Sequence, residues 1–472
     1  GAADPHCFAI HANTPHPPPP GGLGCPAGGV WGPRPQFYPS PPAPLPQGER
    51  GAKHSAHSYK CERLNPSLSN GLPLLLLDCP PLYDRPGNPY VADDGLDWPD
   101  NAIRFGLLSR VAALLGQPAS PLDWRPDIVH VNDWQTALAA AWLHYEGGAA
   151  SIVTVHNIAF QGCFDEPTRT ALGLPDAAWS FDGVEYHGLL SFLKAGLQLA
   201  TRISTVSPSY AREIQDEAFG YGLAPLLRHR REQLHGILNG IDPTIWNPAT
   251  DPALVAPYAA NRLAAKRTNK LALQQEMGLD PVSDRPLFGV VSRLTEQKGL
   301  DLLLALGDAL PELPAQLVLL GSGDPGLQDG FLALAEKLPG HVAVRLGFDE
   351  TLAHRIEAGA DCFLMPSRFE PCGLSQMYSL RYGTPPLVHA TGGLADTVVD
   401  VNEATLADKT GNGFVMTDSS ADALWQAMQR VATAWHNKRL WQRIQQNGMR
   451  CDFSWSHAAA EYSRLYADAL GS

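Results

Sequence analysis

Two cations stand five residues apart in Val291-Ser292-Arg293-Leu294-Thr295-Glu296-Gln297-Lys298-Gly299, directly after an apolar, strand-like run. A forked guanidinium and a point-charge ammonium at this spacing suit a diphosphate. A solvated basic turn is the even-handed alternative. A second stretch, Pro366-Ser367-Arg368-Phe369-Glu370-Pro371-Cys372-Gly373-Leu374, follows another apolar run. The spacing predicts a helix starting near Gly373, whose free amides would meet an anion beside the Glu370 carboxylate; a capped loop is the other reading. Asn132-Asp133-Trp134 follows the run at 127–131. There Asp133 would bind hydroxyls at a cleft edge or cap the next helix, as Asn and Asp favour. His156-Asn157 ends the run at 151–155. A strand-end histidine binds a hydroxyl, shuttles a proton or is simply structural.

Other patterns carry less. Gly321-Ser322-Gly323-Asp324-Pro325-Gly326 formally matches G-x-G-x-x-G. Pro325 inside the loop and the lack of a clear acidic partner on the next strand end weaken a dinucleotide reading. His54, His57 and Cys61 imitate metal-ligand spacing without a fourth ligand. No D-x-D occurs, so no carboxylate-held divalent metal is expected and no cofactor is implied. Charge neutralisation then falls to Arg293, Lys298 and helix amides.

These residues need elements that place them together. Runs at 127–131, 151–155, 202–206, 287–291, 316–320, 342–344 and 362–365 read as strands, with amphipathic helices between. Apolar strands separated by helices indicate parallel sheets covered on both faces. The pattern restarts after about residue 248, which predicts two doubly wound α/β domains joined through 247–284. Ligands of such sheets bind at the carboxyl ends of the strands. Leu74-Leu75-Leu76-Leu77 reads as a further short buried strand. Residues 1–50 hold 14 of the 42 prolines, and no period survives in 1–71. That segment is expected to be irregular or disordered.

The chain has 472 residues, 44% hydrophobic, ample for two domains. The net charge of -13 argues against nucleic acid and anionic membranes as partners. No apolar run is long enough to predict a spanning helix. Eight scattered cysteines without C-x-x-C predict reduced thiols. No secretory leader is expected, and a cytoplasmic setting is.

From Leu72 onward the chain closely resembles bacterial glycogen synthases and plant starch synthases, the ADP-glucose-using glucosyltransferases. The stretches that carry the resemblance include Tyr83 to Tyr90, Asp100 to Phe105, Asp133-Trp134, Thr154-Val155-His156-Asn157, Lys194-Ala195-Gly196, Thr205-Val206-Ser207-Pro208, Asn239-Gly240-Ile241-Asp242, Ser292-Arg293, Gln297-Lys298-Gly299, Pro366 to Leu374 and Thr391 to Val398. About four-fifths of the chain is covered.

The resemblance implies a GT-B fold: two Rossmann-like parallel-sheet domains facing a cleft. Residues 72–247 would form the acceptor-side domain, completed by a C-terminal helix within 455–472. Residues 248–454 would form the nucleotide-sugar-binding domain. It implies retaining transfer of glucose from ADP-glucose to the non-reducing end of an α-1,4-glucan such as glycogen. By family analogy Arg293 and Lys298 hold the diphosphate. Glu370 sits near the transferred sugar, with His156, Asp133 and Asn239 near its hydroxyls. Phe348 matches an adenine-stacking position. Cys372, Gly373, Leu374, Thr391, Gly392 and Gly393 line the donor pocket.

One departure stands out. The family opens with a strand and Lys-Thr-Gly-Gly-Leu, but the only lysines before Lys194 are Lys53 and Lys60, and neither precedes Thr-Gly-Gly. Pro20-Gly21-Gly22-Leu23-Gly24 is a candidate remnant. The N-terminal domain is therefore expected to be incomplete, and a catalytically impaired glucan- or nucleotide-binding remnant is the alternative function. Other GT-B enzymes, a phosphorylase or sucrose synthase, and a dehydrogenase rank below it.

Overall fold

The computed structural model describes residues 8–9, 60–64, 73–92 and 95–471. Contacts divide the chain into two compact units. One holds Gly1–Ser151, Ala159–Ala200 and Tyr221–Pro225; the other holds Ile152–Ile158, Thr201–Gly220 and Leu226–Ser472.

In the first unit the strand Ile128–Asn132 is buried over its first four residues. It runs parallel to a two-residue strand, Phe8–Ala9, with Phe8 opposite Val129. The expected single helix after it is interrupted at Leu138, giving Asp133–Ala137 and Ala139–Glu146. Trp142 and Leu138 are fully buried here. Trp134 packs edge-on to Phe105 and Phe192, so the resemblance motif at this position also builds core. The leucine run forms a strand, Leu74–Asp78, but not the buried one expected. It pairs antiparallel with Lys60–Leu64, and Leu76 is 42% exposed. Four consecutive leucines give no period, so they cannot say which face is covered. The strands at 8–9 and 60–64 both lie in the stretch read as irregular. A two-residue apolar pair is too short to register as a pattern. The rest of 1–71, including the candidate loop remnant at Pro20–Gly24 and the histidines 54 and 57, lies outside the described residues.

The second unit contains a six-stranded sheet in which every pairing is parallel. Its spatial order is Val342–Leu346, Gln316–Gly321, Leu287–Val291, Cys362–Met365, Pro386–His389, Phe414–Met416. The last two strands were not anticipated. Proline at the first position of Pro386–His389 is tolerated because a strand end needs no ladder donor there. Helices cover both faces. One core joins Leu303, Phe331, Leu424, Val431 and Ile444; the other joins Leu273, Leu352, Ile356 and Leu394. The direction of winding reverses between Leu287–Val291 and Cys362–Met365, where adjacent connections leave to opposite sides. A crevice at the carboxyl ends follows from that topology.

Three further parallel strands, Ala150–Val155 (in this unit from Ile152 on), Arg202–Thr205 and Leu234–Gly236, pair with one another in that order. The C-terminal helix Trp455–Leu470 docks on them. The Arg202 guanidinium bonds the Asp468 carboxylate at 2.6 Å. The Tyr462 hydroxyl is hydrogen-bonded to Thr154 and Ser204.

Of the cysteines, Cys79, Cys362, Cys372 and Cys451 are free thiols. Cys163 is disulfide-bonded, which corrects the expectation of thiols throughout. No helix of the described residues is long and apolar enough to cross a membrane.

Candidate active site

The two chemistry-bearing loops emerge from the two strands flanking the winding reversal. Arg293 follows Leu287–Val291, and Glu370 follows Cys362–Met365. The structure brings them together. Lys298 Nζ donates to Glu370 Oε2 at 2.5 Å, and both side chains are largely covered, at 17% and 8% exposure. Ser367 Oγ donates to the same carboxylate oxygen at 3.1 Å. Burial pushes the Arg293 guanidinium down from its ordinary value, and the nearby Glu370 charge pushes it back up. A guanidinium stays protonated through such a shift. Two partly covered cations and one buried carboxylate leave a net positive site. A cavity of about 200 Å³ opens beside it, lined by Ser292, Arg293, Lys298, Ser367 and Ser375 among others.

The loops are braced against each other. The Arg368 amide donates to the Gln297 carbonyl at 2.9 Å. The Arg368 guanidinium forks onto Asp301 with two bonds of 2.6 Å. Arg368 is thus a brace between the two loops. Gly321 and Gly323 pack under the first loop. A Cβ on Gly321 would stand 1.9 Å from the Ser292 carbonyl, and one on Gly323 2.3 Å from that of Leu294. The G-x-G spacing here serves close backbone packing, not a dinucleotide loop.

The helix expected from Gly373 begins instead at Ser375. Gly373 has φ +69°, which no right-handed helix admits. Cys372 is buried, and burial pushes its thiol up to about 12. It is therefore a neutral packing group at neutral pH. The Asn239 backbone amide hydrogen-bonds this sulfur, so Asn239 lies against the same loop. Leu374 is 39% exposed.

Gly392 and Gly393 also meet Glu370, and Thr391 precedes them in the same turn. The Gly393 amide donates to the Glu370 carbonyl at 3.1 Å. Gly392 has φ +45°, and a Cβ there would lie 2.0 Å from that carbonyl. Phe348 follows Gly347, whose amide bonds the Gly321 carbonyl, and is 75% exposed. His156 is half-buried directly after Ala150–Val155.

Asp133 belongs to the first unit, at the carboxyl end of Ile128–Asn132. It does not cap the helix: Asn132 occupies the cap position, and no side-chain cap bond forms. Asp133 instead has φ +52°, an uncommon conformation for a residue with a Cβ. Such outliers cluster at functional sites.

Sequence reasoning missed Glu213, Ser207, Ser209 and Asp396 as parts of this architecture. Ser207 Oγ donates to the Pro371 carbonyl at 2.7 Å. Ser209 donates to Asp396 through its amide at 2.8 Å and its hydroxyl at 2.6 Å. Glu213 accepts from the Gly392 amide at 2.8 Å. Ser207 and Asp396 lie in stretches that carry the resemblance; nothing in the spacing marks Ser209 or Glu213. Among the described residues, no group of three or more His, Cys, Asp and Glu could hold a metal ion.

Comparison with known proteins adds to this geometry. The starch synthase catalytic domain matches residues 43–229, and glycosyl transferases group 1 matches residues 276–449. A glycogen synthase of Dechloromonas aromatica is 72% identical over 415 residues, covering 88% of this chain and 86% of the relative. A glycogen synthase of Nitrosomonas europaea is 56% identical over 407 residues, covering 86% and 82%. Among solved structures, the catalytic domain of starch synthase IV from Arabidopsis thaliana, bound to ADP and acarbose, superimposes with a TM-score of 0.78. It is 34% identical and covers 85% of this chain and 83% of that one. The fold is GT-B, with Rossmann-like parallel sheets. The impaired-remnant reading is not favoured by relatives this similar. With these sheets, these loops and these relatives, the chain belongs to the glycogen synthase family of hexosyltransferases.

Proposed function

We propose that this chain transfers glucose from ADP-glucose to the non-reducing end of an α-1,4-glucan, with retention at the anomeric carbon. The observation that carries the reading is the Lys298–Glu370 pair with Arg293 beside a 200 Å³ cavity, at the winding reversal of a parallel sheet. Leaving-group charge is what this reaction must stabilise, and preorganised cations in a covered site supply that. Arg293 and Lys298 take the diphosphate as the bond from the anomeric carbon to its oxygen breaks. The acceptor hydroxyl attacks from the same face, and its proton passes to the departing phosphate oxygen. Glu370, His156, Asp133 and Asn239 orient sugar hydroxyls, and Phe348 offers a ring to adenine. Cys372 to Leu374 and Thr391 to Gly393 line the donor pocket. No side-chain nucleophile is required.

The domain division that fits this reading is 72–247 with 455–472 on the acceptor side and 248–454 on the donor side. We place the protein in the cytoplasm, in keeping with four free thiols among the five cysteines whose state is described. The test compares ADP-glucose with UDP-glucose as radiolabelled donors to glycogen. Faster incorporation from ADP-glucose is expected. Preference for UDP-glucose would overturn the donor assignment.

A further inference from the structure

The short helix Pro208–Glu213 lies outside both catalytic loops, yet it reaches the Glu370 loop and the Thr391–Gly393 turn that packs against it. Its first residues hold one loop: Ser207, at the helix cap, donates to the Pro371 carbonyl. Ser209 bonds Asp396 twice. Its last residue holds the Thr391–Gly393 turn. Glu213 Oε1 accepts the Gly392 amide at 2.8 Å, and both carboxylate oxygens stand 3.3 Å from the Thr391 hydroxyl.

The position of Gly392 matters because the main chain of Glu370 rests on it. No side chain fits between them, since a Cβ on Gly392 would come within 2.0 Å of the Glu370 carbonyl. The Gly393 amide bonds that same carbonyl. A continuous path of hydrogen bonds and close packing therefore runs from Glu213 through Gly392 and Gly393 to Glu370, and from its carboxylate to Lys298. We propose that Glu213 is a positioning residue for the reaction, fixing the Thr391–Gly393 turn so that Glu370 is held in line with Lys298.

Energetics favour the idea that this carboxylate is retained for what it holds. Burial raises the Glu213 carboxyl above its ordinary value, and the donors from Gly392 and Thr391 act the other way. A half-buried carboxylate is unfavourable unless its bonds are made. Misplacement of a reacting group by about 1 Å costs on the order of a hundredfold in rate. Loosening this turn should therefore be visible in turnover.

The kinetic part of the proposal rests on the transferase reading above; the structural part does not. Glu213→Ala is compared with Glu213→Gln, whose amide oxygen can still accept from Gly392. Hydrogen exchange is followed in peptides spanning 369–374 and 391–397, alongside kcat and the donor KM. In Glu213→Ala, exchange in both segments should quicken and kcat should fall at least about tenfold. Glu213→Gln should stay within about threefold of the wild type, since it keeps an acceptor. If Glu213→Ala does not fold, Glu213→Asp carries the same expectation, because its carboxylate is one methylene too short to reach. Unchanged exchange at 369–374, or a Gln variant as impaired as Ala, overturns the proposal. A wild-type chain that transfers no glucose would overturn the activity reading, while the exchange result still decides the role of Glu213.

Discussion

Lys298 and Glu370 each make the other tolerable. The carboxylate is covered and shares one oxygen between Lys298 and Ser367. Removing the ammonium leaves a buried charge without its cation, which costs up to about 3–5 kcal/mol where burial is complete. It also removes a charge that meets the diphosphate. Lys298→Ala should therefore lose about 10²–10³ in kcat/KM and unfold at a lower temperature. Adding Glu370→Gln should restore the melting temperature but not the turnover. Unchanged kinetics in Lys298→Ala would refute the assignment. A second residue-scale expectation concerns Lys194, which donates to the carbonyls of Phe181 and Gly183. Burial lowers its ammonium to about 8 from 10.5. Between those values the unfolded chain binds the proton more strongly, so stability rises with pH across that window. Lys194→Met should remove this rise. Parallel melting curves of the two proteins from pH 8 to 10 would contradict it.

At the scale of elements, the site depends on loops whose backbone geometry only glycine permits. Gly392→Ala must strain a left-handed φ and drive a methyl into the Glu370 carbonyl. It should cost activity by about a hundredfold through displaced catalytic groups. Gly173→Ala is the control: its φ is +71° but nothing lies within 4 Å. It should cost about 1–2 kcal/mol of stability and leave kcat unchanged. Equal kinetics in the two variants would mean that the Gly392 contact is irrelevant. Legibility in the sequence follows the same division. Long apolar strands such as 287–291, 316–320 and 362–365 were readable, because parallel sheets buried on both faces demand continuous apolar runs. Arg293, Lys298 and Glu370 were readable because they sit directly after those strands. The three-residue strand Phe414–Met416 was not, being too short to show a period. Glu213 was not either. Its role comes from a contact 179 positions away in the chain, which local spacing does not encode. The helix start was misplaced at Gly373 because positive φ is a tertiary outcome and glycine allows either hand.

At the scale of the molecule, the last helix ties strands far earlier in the chain to its end. Leu465 is 4% exposed on that helix, so Leu465→Ala should destabilise the second unit by about 2–5 kcal/mol. Asp468→Ala removes an ion pair whose acid is 55% exposed and screened by solvent, so its effect should be much the smaller. Urea midpoints that fall equally in the two variants would deny that apolar docking dominates.

The N-terminal departure bears on the whole chain. Residues 43–229 match the starch synthase catalytic domain, while no Lys-Thr-Gly-Gly-Leu occurs anywhere before it. Whether the donor's charge is met by Arg293 and Lys298 is therefore the point on which the reading turns. The direct measurement is incorporation of label from ADP-[¹⁴C]glucose into glycogen by the purified chain, beside Lys298→Ala. The account predicts transfer by the wild type and a loss of at least about a hundredfold in the variant. No incorporation by a folded wild-type chain would contradict it.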